Sequence, residues 1–114
     1  MLIIDTSKGF DLGSFHFTVE SDGKSSLDLD ARDKYGEFIP ISNTLRVSPQ
    51  YGPDHYHVTF LHEVVEAVSN RCCNCRVKHD HITNLALGLA QIFKSMGIMF
   101  APEKPEGHDL PPVS

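Results

Sequence analysis

No apolar run in this chain approaches the roughly 18 residues that a membrane-spanning helix needs. The opening MLIIDTSKGFDLG has only four apolar residues before Asp5 and neither a basic segment nor a long apolar one, so a secretory signal is not expected. Basic side chains are scarce as well. Ten Lys and Arg face fifteen Asp and Glu, a formal net charge of -5, which is the wrong balance for a surface that neutralises a phosphate backbone. Cysteine is limited to Cys72, Cys73 and Cys75. An odd number set this closely cannot form the disulfide framework of a small secreted domain, and reduced thiols are expected. These scarcities point to a cytoplasmic protein that binds neither nucleic acid nor membrane. There is no internal repeat, and 114 residues of which 40% are hydrophobic suffice for one modest core, hence one domain over residues 1–100.

What is present divides the chain into a strand-like first half and a helical second half. FHFTVES (15–21), SLDLDARD (26–33) and FIPISNTLRVS (38–48) alternate apolar and polar residues, with turns at Ser21-Asp22-Gly23 and Lys34-Tyr35-Gly36. Pro40 marks an edge position or a break within the third run. A small, mostly antiparallel sheet is expected. After the loop SPQYGPDHY (48–56) the period becomes helical. Phe60, Leu61, Val64, Val65 and Val68 place a helix from about residue 55 or 57 to about 70, with Asp54 as its N-cap and His55 and His57 as loop or cap residues. A second helix over roughly 80–96 follows from Ile82, Leu85, Ala86, Leu89, Ile92, Phe93 and Met96, with Gly97 as its stop. The tail 101–114 holds four of the seven prolines and is expected to be extended or disordered, with His108 exposed. The fold class is therefore α+β, a small sheet packed on two helices. Val64, Val65, Val68, Ile82, Leu85, Leu89, Ile92 and Phe93 are the expected core.

The chemistry is concentrated in FLHEVVEAVSNRCCNCRVKHDH, residues 60–81. His62 and Glu66 are four apart, which on a helix stacks the two side chains on one face about one turn apart, able to meet a single ion. They lie on a different side of the helix from Val64 and Val68. Glu63 cannot easily point at the same ion but can lean over the cleft beside it and take a proton from water activated there. This is the arrangement of H-E-x-x-H with a carboxylate in place of the second histidine, and zinc accepts either donor. An open zinc site needs a third protein ligand. His79 and His81 both lie at the start of the second helix, and periodicity does not choose between them.

The stretch TFLHEVVEAV…KHDHITNLALGLAQIFKSMGI resembles the small zincin-like metallopeptidase-related proteins of phages and prophages, over about residues 36–98. In those proteins strands precede a helix opening LLHE, and a later helix ends LAxxLxQxLKxxG. The NRCCNCRV segment departs from their short polar or glycine-containing loop. The resemblance implies a zincin-like minimal domain in which the next helix opens with a histidine three before an isoleucine. His79 and Ile82 have that spacing, so the resemblance makes His79 the third ligand beside His62 and Glu66, and Glu63 the catalytic residue. Zn2+ is the implied cofactor, and an amide bond of a peptide or protein is the implied substrate. The strands before the first helix also fit a plan in which an edge strand beside the metal pairs with an extended substrate, for which Asn43–Ser48 is the expected strand.

Other readings of the same residues compete with this one. Cys72 and Cys75 with His79 and His81 spell C-x2-C-x3-H-x-H, a closed structural zinc site whose four ligands fall within unusually few residues. A thioredoxin-type redox role fits less well, because the C-x-x-C follows a helix instead of standing between strand and helix. Cysteines that merely fill the corner between the helices are the plain alternative. In function, the alternatives are a catalytically inactive zincin-like protein and a non-catalytic partner-binding protein.

Overall fold

The computed structural model describes residues 1–74 and 77–102. The fold is α+β, as the sequence leads one to expect, but with three α-helices where two were expected. In chain order the elements are β1 (Leu2–Asp5), β2 (Phe10–Leu12), β3 (Phe15–Glu20), α1 (Gly23–Ala31), β4 (Gly36–Ile39), β5 (Thr44–Val47), α2 (Pro53–Cys72), α3 (His79–Ser95) and β6 (Ile98–Ala101).

The expected strand over 26–33 is instead the middle of α1. Leu27 and Leu29 alternate with polar residues as a strand would, but Asp22 decides the matter: its carboxylate accepts a hydrogen bond from the Ser25 backbone N–H at 2.7 Å and so caps a helix start. Only Leu29 is then buried, while Leu27 is 74% exposed. The third expected strand is divided. Pro40 opens a short 3-10 turn over Pro40–Ser42, Asn43 takes a left-handed conformation (φ 50°), and the chain doubles back so that β4 and β5 pair antiparallel. The four-stranded sheet has the order β2-β3-β5-β4, with two antiparallel ladders around a parallel β3–β5 centre, because α1 carries the chain across between those strands. β5 is thus an interior strand, and the expectation that 43–48 forms the sheet edge beside the site is corrected: the edge there is β4. A separate parallel pair, β1 with β6, joins the two ends of the described chain. Ala101, placed with the tail from the sequence, is the last residue of this ladder, opposite Asp5. Tail residues 103–114, His108 among them, and Cys75 lie outside the described residues.

α2 begins earlier than its apolar period suggests. Gly52 is its N-cap and Pro53 its first residue, so Asp54 is not the cap. Asp54 lies in the first turn, where a negative charge favours the helix dipole, and its carboxylate meets Lys94 Nζ at 3.0 Å. His55 and His57 are within the helix. Gly97, at φ 82°, ends α3 as expected.

The core sits where the sheet meets α2. Phe17, Leu45, Val47, Tyr56, Phe60, Leu61 and Ala67 are each no more than 5% exposed. Of the residues expected to form the core, Ile82 is buried and Val64, Val65 and Phe93 pack half-buried against it. Val68, Leu85, Leu89 and Ile92 do not belong to it, being 36%, 52%, 36% and 56% exposed. The reason is that α3 turns Ile82, Ala86 and Ala90 inward, and the two alanines occupy little of the contact face. The apolar arc of α3 is wider than the surface α2 offers it.

His57 locks this arrangement. The Phe100 backbone N–H donates to its Nδ1 at 3.1 Å, so its Nε2 carries the hydrogen and donates to the Ala90 carbonyl at 3.0 Å. One buried imidazole on α2 thereby ties both α3 and β6.

Candidate metal centre

The third and fourth turns of α2 bring His62, Glu63 and Glu66 to the side that faces β4, and the corner after α2 returns the chain so that His79, the first residue of α3, stands beside them. The His62 Nε2 to Glu66 Oε2 separation is 3.9 Å. Two donors each about 2.0–2.2 Å from one ion lie somewhat closer than this, within reach of a small side-chain adjustment. One donor atom from each of His62, Glu63 and Glu66 can be chosen so that all lie within 4.8 Å of one another, so Glu63, expected to lean beside the ion, stands among the donors, and His79 is not in that group. The His79 ring is 5.1 Å from that of His62, centroid to centroid, at 61°. His79 and His81 are both exposed, but His79 lines the cleft and His81 lines neither that cleft nor its neighbour.

Glu63 is more deeply enclosed than the sequence suggests. It is 4% exposed, and its Oε1 has no hydrogen-bond partner among the described residues. On its other side is Gly36 of β4. A Cβ at that position would stand 3.0 Å from Glu63 Oε2, 2.8 Å from Thr59 Cγ2 and 3.2 Å from the Arg46 carbonyl. The glycine is what lets the edge strand close over the carboxylate. Burial, reinforced by the nearby Glu66 charge, pushes the Glu63 carboxyl up to about 9. Burial also lowers the His62 pKa, against the pull of Glu66, and so favours the neutral imidazole that a metal ligand must be.

These residues line a cleft of about 480 Å³ between β4 and α2, with Tyr35 and Thr59 at one end. A second cavity of about 310 Å³, reaching Pro40, Ser69 and Ile82, shares Phe38, Glu66 and His79 with the first. The candidate ligands therefore stand at the meeting point of two hollows. Tyr35, Gly36 and Thr59 were not singled out from the sequence, where Lys34-Tyr35-Gly36 reads only as a turn. The glycine after an aromatic residue was the one available sign of a close backbone approach.

The donor set fits a divalent cation. Two carboxylates crowded beside the His62 imidazole, one of them holding an orphaned buried oxygen, are an arrangement that a positive charge relieves. Cys72 and Cys73 are exposed on the far end of α2, and the Cys72–Cys75 reading falls partly on a residue outside those described. Among the described residues no helix is long and apolar enough to cross a membrane. No protein-family model, no curated protein and no solved structure matches the chain.

Proposed function

We propose that this chain is a small zincin-like metallopeptidase that binds Zn2+ through His62, Glu66 and His79 and hydrolyses an amide bond of a peptide or protein in the cytoplasm. The observation that carries the reading is the convergence of His62, Glu63 and Glu66 within 4.8 Å at the floor of a cleft walled by an edge strand. The resemblance of residues 36–98 to phage and prophage metallopeptidase-related proteins supports the same assignment.

His62 and Glu66, one turn apart on a rigid helix, would hold the ion from α2, with His79 at the start of α3 as the third ligand. Bound there, zinc supplies a Lewis acid that polarises an amide carbonyl and acidifies water. Glu63 would carry the proton: with a cation beside it the carboxylate form would be favoured, and that carboxylate would accept a proton from the attacking water and return it to the leaving amine. Among the described residues β4 has a strand neighbour on one side only, β5. Its other edge is available to the backbone of an extended substrate, which would align the amide with the ion.

Metal analysis of purified variants tests the ligand set. The parent protein is expected to hold about one zinc per chain, His62→Ala and His79→Ala to lose it by at least tenfold in affinity, and His81→Ala and the Cys72→Ser, Cys75→Ser double variant to keep it. Retention by His62→Ala with loss from the cysteine variant moves the ion to the C-x2-C site and removes the proposal. Glu63→Gln should keep zinc and lose peptide cleavage by at least a hundredfold. Absence of cleavage by the zinc-loaded parent leaves an inactive or partner-binding protein.

A further inference from the structure

Beside the centre, three rings gather at one end of the cleft on a surface that the core does not need. Tyr35, the last residue before β4, meets Tyr51 at 5.1 Å and 82° and His55 at 4.6 Å and 77°, and Tyr51 and His55 are 5.2 Å apart. Such spacings are those of favourable edge contacts. Yet Tyr35 is 56% exposed and Tyr51 43%, so the rings are organised without being buried.

The cluster is also fixed from outside. The Tyr51 hydroxyl donates to Asp30 at 2.6 Å, and Gln50 donates to the other oxygen of the same carboxylate at 2.7 Å. The Tyr35 carbonyl accepts from the Ser48 backbone N–H at 2.9 Å. A hydroxyl contact of 3.4 Å from Thr59, itself in the cleft wall, reaches His55 Nδ1. Aromatic side chains held in place and left half open are characteristic of surfaces that receive a ligand, because little freedom is lost when the ligand arrives.

Position gives the platform its role. Tyr35 lines the same cleft as His62 and Glu63, and it directly precedes Gly36, against which Glu63 lies. A peptide extended along β4 advances about 3.3 Å per residue, so a side chain over Tyr35 belongs to a residue one or two places from the bond at Glu63.

We propose that the Tyr35–Tyr51–His55 cluster is a specificity subsite for an aromatic side chain of the substrate, one or two residues from the bond that is cut. The inference rests on the peptide-hydrolysis reading above and names the substrate class for that site. Tyr35 acts by positioning the peptide, and its ring is the decisive part.

The test uses the zinc-loaded full chain and acetylated, amidated hexapeptides in which one Phe is moved along an alanine and glycine background, with matched peptides carrying Leu or Arg at the same place. Binding is read from the NMR ring signals of Tyr35 and Tyr51, and cleavage from mass spectrometry. One Phe position should bind about three- to tenfold more tightly than its Leu and Arg counterparts and shift both tyrosine signals. Tyr35→Phe should keep that preference and Tyr35→Leu should reduce it to less than twofold, in KM far more than in kcat, with zinc content and far-UV circular dichroism unchanged. Equal affinity for all side chains, preference for Arg, or a preference that survives Tyr35→Leu overturns the subsite. Peptides bound with a Tyr35-dependent preference but never cut leave the subsite standing and remove the hydrolytic reading. Peptides cut without an aromatic preference do the reverse.

Discussion

Glu63 behaves differently with and without a cation beside it, and the difference is measurable as stability. In the metal-free protein its carboxyl titrates near 9, against an ordinary value of 4.5 in the unfolded chain. Between those two values the folded state keeps a proton that the unfolded state has released, so the contribution of Glu63 to stability is greatest below about 4.5 and declines as pH rises toward 9. The melting temperature of the metal-free protein should therefore fall from pH 5 to pH 8, and Glu63→Gln should flatten the slope and stabilise the protein at pH 8 by about 1–3 kcal/mol, the scale of relieving an unsatisfied buried polar group. Zinc should flatten it too, because a cation beside Glu63 favours the deprotonated form in the folded state. His62, whose pKa burial lowers, acts in the opposite sense up to its ordinary value, so the comparison with Glu63→Gln decides: an unchanged slope in that variant would show that Glu63 is not enclosed. At this scale the sequence was informative where chemistry is local: His62 and Glu66 share a helix face because the helix period puts them there. It was silent where a distant element intervenes. Nothing in HEVVE says that Glu63 faces a strand, nor that His57, read as a cap or loop residue, would span to Ala90 and Phe100.

Among the elements, β4 and α2 make the contact on which the cleft depends, and Gly36 is its narrowest point. Gly36→Ala puts a methyl within 3.2 Å of a backbone carbonyl and closer still to Thr59 and Glu63. The strand must move away, and a loss of about 1–3 kcal/mol in urea unfolding is expected, together with weaker protection of Glu63 from solvent. An unchanged urea midpoint would mean that β4 does not lie against α2 as described. Element identity was legible for α2 and α3, whose periods are long, for β3, and for the extended run that Pro40 divides into β4 and β5, which reads as a single strand in the sequence. It was not legible for α1, since Leu27 and Leu29 alternate like a strand and only the Asp22 cap distinguishes the two outcomes. The short strands β1, β2 and β6 carry too few residues for a period to show. The solvent-facing Leu85, Leu89 and Ile92 could not be foreseen either, because a helical stripe shows which residues share a side and not how much of that side a neighbour covers.

For the molecule as a whole, the parallel β1–β6 ladder and the His57 bridge mean that the two helices carrying the candidate ligands are held together by contacts that involve no ion. Small zinc domains that lack such contacts unfold when chelated. Here the fold should outlast its metal: excess chelator should strip zinc while leaving the far-UV circular dichroism spectrum unchanged, and the unfolding midpoint should drop only by the amount that the zinc dissociation constant and concentration prescribe. Collapse of the spectrum on chelation would show that the ion, and not the chain, sets the helix angle. For the proposed centre the berth would be complete when the polypeptide finishes folding, so occupancy would answer to the supply of the ion around the protein, and an empty copy and a loaded one would differ in what they can do far more than in what they look like.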